Sequence, residues 1–144
     1  MIELAASLED TNFAAALRRS VWVYPLVNAG HILGLALLIG SVVPMDVAIL
    51  RRGTLGALGS LRGYALSGFC LAVVCGVLLF SAQATEYVQS PWFLAKISLV
   101  LLASLNALVH FSNLQTERTR RRAAAASLFL WISALVCGRM IAYG

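Results

Sequence analysis

Four stretches of this chain contain no Asp, Glu, Lys or Arg: Ser20–Met45, Gly63–Thr85, Ile97–Thr116 and Ala123–Gly138. A helix needs about 20 apolar residues to cross a hydrocarbon layer of roughly 30 Å. The first three stretches meet that length directly. The fourth meets it when the Arg139 side chain snorkels to the far interface, which carries the helix on to Tyr143. Spans are expected over about 22–49, 64–85, 92–114 and 123–143. The fold class is therefore an all-α, four-helix transmembrane bundle, one integral membrane domain over residues 1–144.

Composition removes the main alternative. With 60% hydrophobic and 12% charged residues the chain lacks the polar surface of a soluble enzyme. No P-loop, dinucleotide fingerprint, zinc signature or Ser-His-Asp arrangement is present. The three cysteines (Cys70, Cys75 and Cys137) all fall within spans without a CxxC pair, and read as buried, reduced, structural thiols. A cleaved signal peptide is not expected, because the first apolar stretch starts late and follows the mixed charges of Glu3, Glu9, Asp10, Arg18 and Arg19.

The net charge of +5 is a matter of topology rather than of nucleic acid. Seven of the eleven basic residues lie in two connections: Arg51, Arg52 and Arg62 after span one, and Arg118, Arg120, Arg121 and Arg122 after span three. Clustered Lys and Arg in short loops mark the cytoplasmic face. Both termini and the Glu86–Pro91 connection are then outward, in a multi-pass protein of the bacterial inner membrane. Arg18 and Arg19 run against this assignment, offset by the neighbouring acids. The run Arg118–Arg122 also suits contact with anionic lipid. Residues 1–19 read as a short interfacial helix capped by Asp10, Thr11 or Asn12 and running through Phe13, Leu17 and Arg18. Pro44 is placed to kink or end the first span just before Asp46.

Both histidines, His31 and His110, lie inside spans, and an ionisable group at bilayer depth is a functional-site hypothesis by default. On a helix, Tyr24, Asn28, His31, Leu35, Leu38, Val42, Met45 and Asp46 share about one third of the circumference. Lys96, Leu99, Ala103, Asn106, His110 and Asn113 recur every three or four residues and form a second seam. Two such seams should face inward. Hydrogen bonding between helices is the simpler reading of the three asparagines.

Depth separates the two histidines. His31 is nine residues below Trp22, about 14 Å, whereas Lys96 below Trp92 and Arg139 below Tyr143 are each about 6 Å deep. An imidazole beneath two cations suits heme b, with His31 as axial ligand, Lys96 and Arg139 on the propionates, and Asn28 or Asn106 supporting them. Simple snorkelling anchors are the other reading of Lys96 and Arg139. His110, about 27 Å below Trp92, is about 13 Å out of level with His31, so it pairs better with Asp46 or lines a proton or metal path.

The strings WVYPLVNAGHILGLALLIGSVVPMD (Trp22–Asp46), PWFLAKISLVLLASLNALVH (Pro91–His110) and GRMIAY (Gly138–Tyr143) resemble an uncharacterised family of four-span bacterial membrane proteins. More distantly, His31, Lys96 and His110 are similar in pattern to the HemJ-type protoporphyrinogen oxidases, which implies heme. The histidine followed by a small-residue helix, and the lysine-led helix with asparagine, resemble CopD-type copper-resistance membrane domains, which implies copper held by His31 and His110. Three functions stay open. These are a heme b protein of electron transfer with a redox partner, a metal or proton conduit through His31, Asn106, His110 and Asp46, and a non-catalytic accessory subunit of a membrane complex. Gly30 and Gly34 form a GxxxG pattern that permits close helix contact or homo-oligomerisation.

Overall fold

A computed structural model of the chain describes residues 2–51, 56–110 and 116–143, without the side chains of residues 57, 109 and 110. Seven α-helices run in order through these residues: α1 (Ile2–Glu9), α2 (Asn12–Arg19), α3 (Val23–Leu50), α4 (Leu61–Ala82), α5 (Ala84–Gln89), α6 (Pro91–His110) and α7 (Glu117–Met140). Two 3-10 turns, Gly56–Ser60 and Ile141–Tyr143, flank α4 and close the chain. No strand occurs among the described residues.

Four helical segments are long and apolar enough to cross a membrane: Val23–Leu50, Leu58–Ala82, Pro91–Leu108 and Glu117–Tyr143. Their outer faces stay apolar: Leu26, Leu66, Val77, Leu105, Phe129 and Val136 are all more than half exposed. A helix that is apolar on its exposed side has a lipid solvent rather than an aqueous one.

Helix α3 packs against α4 and α7, and α6 packs against α7. The order around the bundle is thus α4, α3, α7, α6. Among the described residues helices α4 and α6 close no comparable interface beyond the stacking of Phe80 on Phe93 at 5.4 Å, so the ring of helices is loosest between them. Small residues set the tightest contact. Gly34 and Gly68 meet where α3 crosses α4, and a Cβ on Gly34 would stand 2.5 Å from the Ala72 backbone nitrogen. Gly30 is likewise pressed on Cys75 Sγ, 2.9 Å from where its Cβ would be. The GxxxG pattern is therefore used inside the chain, in line with close packing of membrane helices through small residues. Deeper in, Leu38, Ala103 and Trp131 form the core, with Phe69 edge-on to Trp131 at 6.2 Å between ring centres.

The expected N-terminal helix is two helices. Thr11 caps α2, its hydroxyl accepting from the Ala14 N–H, and breaks the segment at the position favoured for a cap. The hairpin is clipped to the far end of α4. Arg18 donates to the Ala82 carbonyl at 2.8 Å and pairs with Glu9 at 3.1 Å. The Glu9 carboxylate in turn accepts from the backbone N–H of Thr85 at 3.1 Å and from its hydroxyl. Arg18 thus sits against the expected topology for a local reason: its charge is matched by Glu9 and by a helix C-terminus.

Two further boundaries differ from the sequence reading, and the end of α3 follows the expected span to about 49 rather than a stop at Pro44. The connection after α4 is helical over Ala84–Gln89. Helix α3 runs through Pro44 to Leu50, at the cost of the hydrogen bond that a residue 44 N–H would give the Gly40 carbonyl. Helix α7 begins at Glu117 under a Thr116 cap, so the arginines 118–122 occupy its first turns instead of a loop. One of them has a packing role: Arg121 donates to the Leu50 carbonyl at 3.0 Å and caps the end of α3.

Candidate functional site

His31 is half-buried on α3, with its ring laid against α4. Nδ1 lies 2.8 Å from the Ala72 carbonyl oxygen. A carbonyl only accepts, so Nδ1 carries a proton, and in the neutral ring Nε2 keeps its lone pair. Gly76, one turn beyond Ala72, makes room for the ring: a Cβ there would stand 3.2 Å from His31 Cε1. Among the described residues Nε2 has no hydrogen-bond partner, and it is not sealed from its surroundings. An imidazole with one nitrogen fixed by a carbonyl and the other free is the arrangement used by metal-ligating histidines.

Lys96 reaches this level from α6. Its Cδ, Cε and Nζ run along Gly138 of α7, each 3.5 Å from where a Cβ would be, so the glycine provides the channel for the stem. The ammonium is close enough to act electrostatically on the His31 ring. Lys96 is half-buried and has no ion pair or hydrogen bond among the described residues.

The other expected members are placed differently. Arg139 is exposed, donates to the Tyr143 hydroxyl at 2.9 Å and lies 5.1 Å over that ring. Asn28 is exposed on α3. Asn106 donates to the Ala123 carbonyl at 3.0 Å and so ties α6 to α7, the plain packing role of an intramembrane asparagine. The expected partnership of His110 with Asp46, and the place of Asn113 in its seam, lie outside the described residues. Among the described residues no three His, Cys, Asp or Glu side chains come together. All three cysteines are free thiols, with Cys75 buried, Cys137 partly so and Cys70 exposed.

A second region lies 15 residues further along α3, about 22 Å from His31. Here the four long helices line a cavity of about 340 Å³ that opens to the surroundings past Leu66 and Leu108. Its walls include Leu38, Val42, Phe69, Ala107 and Trp131, with Asp46 and Ser127 as polar groups between them. Asp46 is 6% exposed, and Ser127 of α7 shares the same wall. The sequence reading found Asp46 by its seam and missed Ser127. The available signal was the stripe Ala124, Ser127, Trp131 and Ala134, which recurs every three or four residues on α7 and is buried throughout.

These features define the class as a multi-pass helical membrane protein, with one polar site on α3, α4 and α6 and a separate cavity. No family model, curated protein or solved structure matches the chain.

Proposed function

We propose that the chain binds heme b through His31 Nε2 and serves membrane electron transfer with a redox partner. The observation that supports this most is the hydrogen bond from His31 Nδ1 to the Ala72 carbonyl, which orients the ring and leaves the ligating nitrogen free. The residues present fit one axial imidazole and one propionate cation. Lys96 is the propionate partner, as an otherwise unpaired ammonium beside the ring. Arg139 reaches a propionate only by leaving Tyr143. Bound heme supplies one-electron redox chemistry whose potential is set by its axial ligand and its apolar surroundings. The chain's own part is to fix the imidazole tautomer, to place a cation near the acidic edge, and to surround the ring with apolar helices.

Absorption spectra of the protein purified after heme-replete expression, oxidised and reduced, test this reading. A Soret band is expected in the wild type and in His110→Ala, lost in His31→Ala and weakened on washing in Lys96→Leu. A wild type without a Soret band overturns it.

A further inference from the structure

The cavity beside Asp46 has a feature that packing alone does not account for. Asp46 Oδ2 is buried and has no hydrogen-bond partner among the described residues. An ionisable group in the apolar interior of a membrane helix bundle is costly, and an unpaired oxygen on it more so. The volume of about 340 Å³ falls in the range of small-molecule sites. The walls beside Asp46 are apolar and aromatic, and Phe69 and Trp131 present two large ring surfaces at 75° to one another. Helices α4 and α6 both line the cavity; Phe80 of α4 stacks on Phe93 of α6 at 5.4 Å towards the other end of the bundle, and among the described residues no comparable packing closes the two helices beside Asp46, so the bundle is weakest towards the lipid at this point.

We propose that this cavity binds a lipid-soluble hydroxylated ring of the hydroquinone class, which enters between α4 and α6 and donates a hydroxyl hydrogen to Asp46 Oδ2. Three features select that chemistry. The orphan oxygen calls for a donor. The apolar lining calls for a ring or chain rather than a sugar or an ion. The pair Phe69 and Trp131 suits a flat aromatic face. His31 does not line the cavity, so this site stands or falls independently of heme binding.

Trp131 is a built-in reporter, because the other two tryptophans, Trp22 and Trp92, do not line the cavity. A Trp22→Phe, Trp92→Phe protein in lipid nanodiscs is titrated with a short-chain benzoquinol while Trp131 emission is followed. Saturable quenching is expected. Asp46→Leu should weaken binding about tenfold, the loss of one charge-assisted hydrogen bond, while melting no lower than its parent. Ala65→Phe, which fills the cavity from α4, should abolish the saturable phase. Three outcomes overturn the proposal. One is quenching that rises without saturation; another is an equal curve from a single-Trp22 protein, which reports partition into the lipid only. The third is a saturable phase that both Asp46→Leu and Ala65→Phe leave unchanged.

Discussion

Gly34 and Gly68 are apposed backbone to backbone: a Cβ on the first would lie 2.8 Å from the carbonyl oxygen of the second, and a Cβ on the second 2.7 Å from the carbonyl oxygen of the first. The contact is reciprocal, so neither residue relieves the other. Side-chain movement cannot absorb an added methyl, because most of the atoms it meets are backbone. Gly34→Ala and Gly68→Ala should each force α3 and α4 apart and cost about 1–3 kcal/mol, as overpacking does elsewhere. Gly40 on the same helix meets nothing within 4 Å, and Gly40→Ala should be neutral or slightly stabilising. Thermal melts in detergent compare the three. Equal melting temperatures would refute the close crossing.

The clip between the N-terminal hairpin and the end of α4 should be acid-sensitive. The Thr85 hydroxyl, its backbone N–H and the charge of Arg18 hold the Glu9 carboxyl below its ordinary value of 4.5. A depressed carboxylate contributes its stability in full above that ordinary value and loses it as pH falls through the folded one. Protection from hydrogen exchange over residues 2–19, taken relative to the intrinsic rate at each pH, should therefore be flat from neutral pH to about pH 5 and fall below about pH 4.5. Glu9→Gln should exchange faster already at neutral pH and show little further change in acid. An acid response that persists in Glu9→Gln would place its origin elsewhere.

Periodicity made the membrane fold legible, together with much of the inward seams. Leu38, Asp46 and Ala103 are buried as their helical spacing required, and Leu26, Leu33 and Gly40 are exposed as the opposite face required. Asn28 shares the α3 seam by angle and yet is exposed, because it lies near the first turns of the helix, where the seam has less to face. Side-chain competition hid other features. Depth alone put Arg139 level with Lys96, but a tyrosine one turn away takes the guanidinium. The cap on α3 from Arg121 and the His31 contact with the Ala72 carbonyl join residues 71 and 41 positions apart, a relation that no local pattern carries.

The arginine run at the start of α7 should be divisible by function. Arg121 is bonded to the Leu50 carbonyl, one of the four carbonyls that a helix end leaves without a partner. Arg121→Ala should lower stability by about 1 kcal/mol through loss of a charge-assisted cap. Arg118 is exposed and makes no hydrogen bond or ion pair among the described residues, so Arg118→Ala should leave the melting temperature unchanged while still reducing positive charge. Differential scanning fluorimetry on the purified variants separates the two. Equal losses would mean that net charge rather than the cap matters.

The His31 ring should report its own tautomer. With Nδ1 donating to the Ala72 carbonyl, nitrogen-15 spectra of histidine-labelled protein at neutral pH should show Nδ1 protonated and Nε2 bare. Gly76 controls that geometry. A methyl at 3.2 Å from Cε1 needs a few tenths of an ångström of relief, which the ring can give by a small rotation, so Gly76→Ala should keep the tautomer. Gly76→Val adds a branch the ring cannot clear. It should turn the imidazole off the carbonyl, mix the two tautomers and weaken any ligand held at Nε2, with the helical circular dichroism retained. If Gly76→Val leaves the nitrogen-15 shifts of His31 as they are in the wild type, the glycine is not what seats the ring.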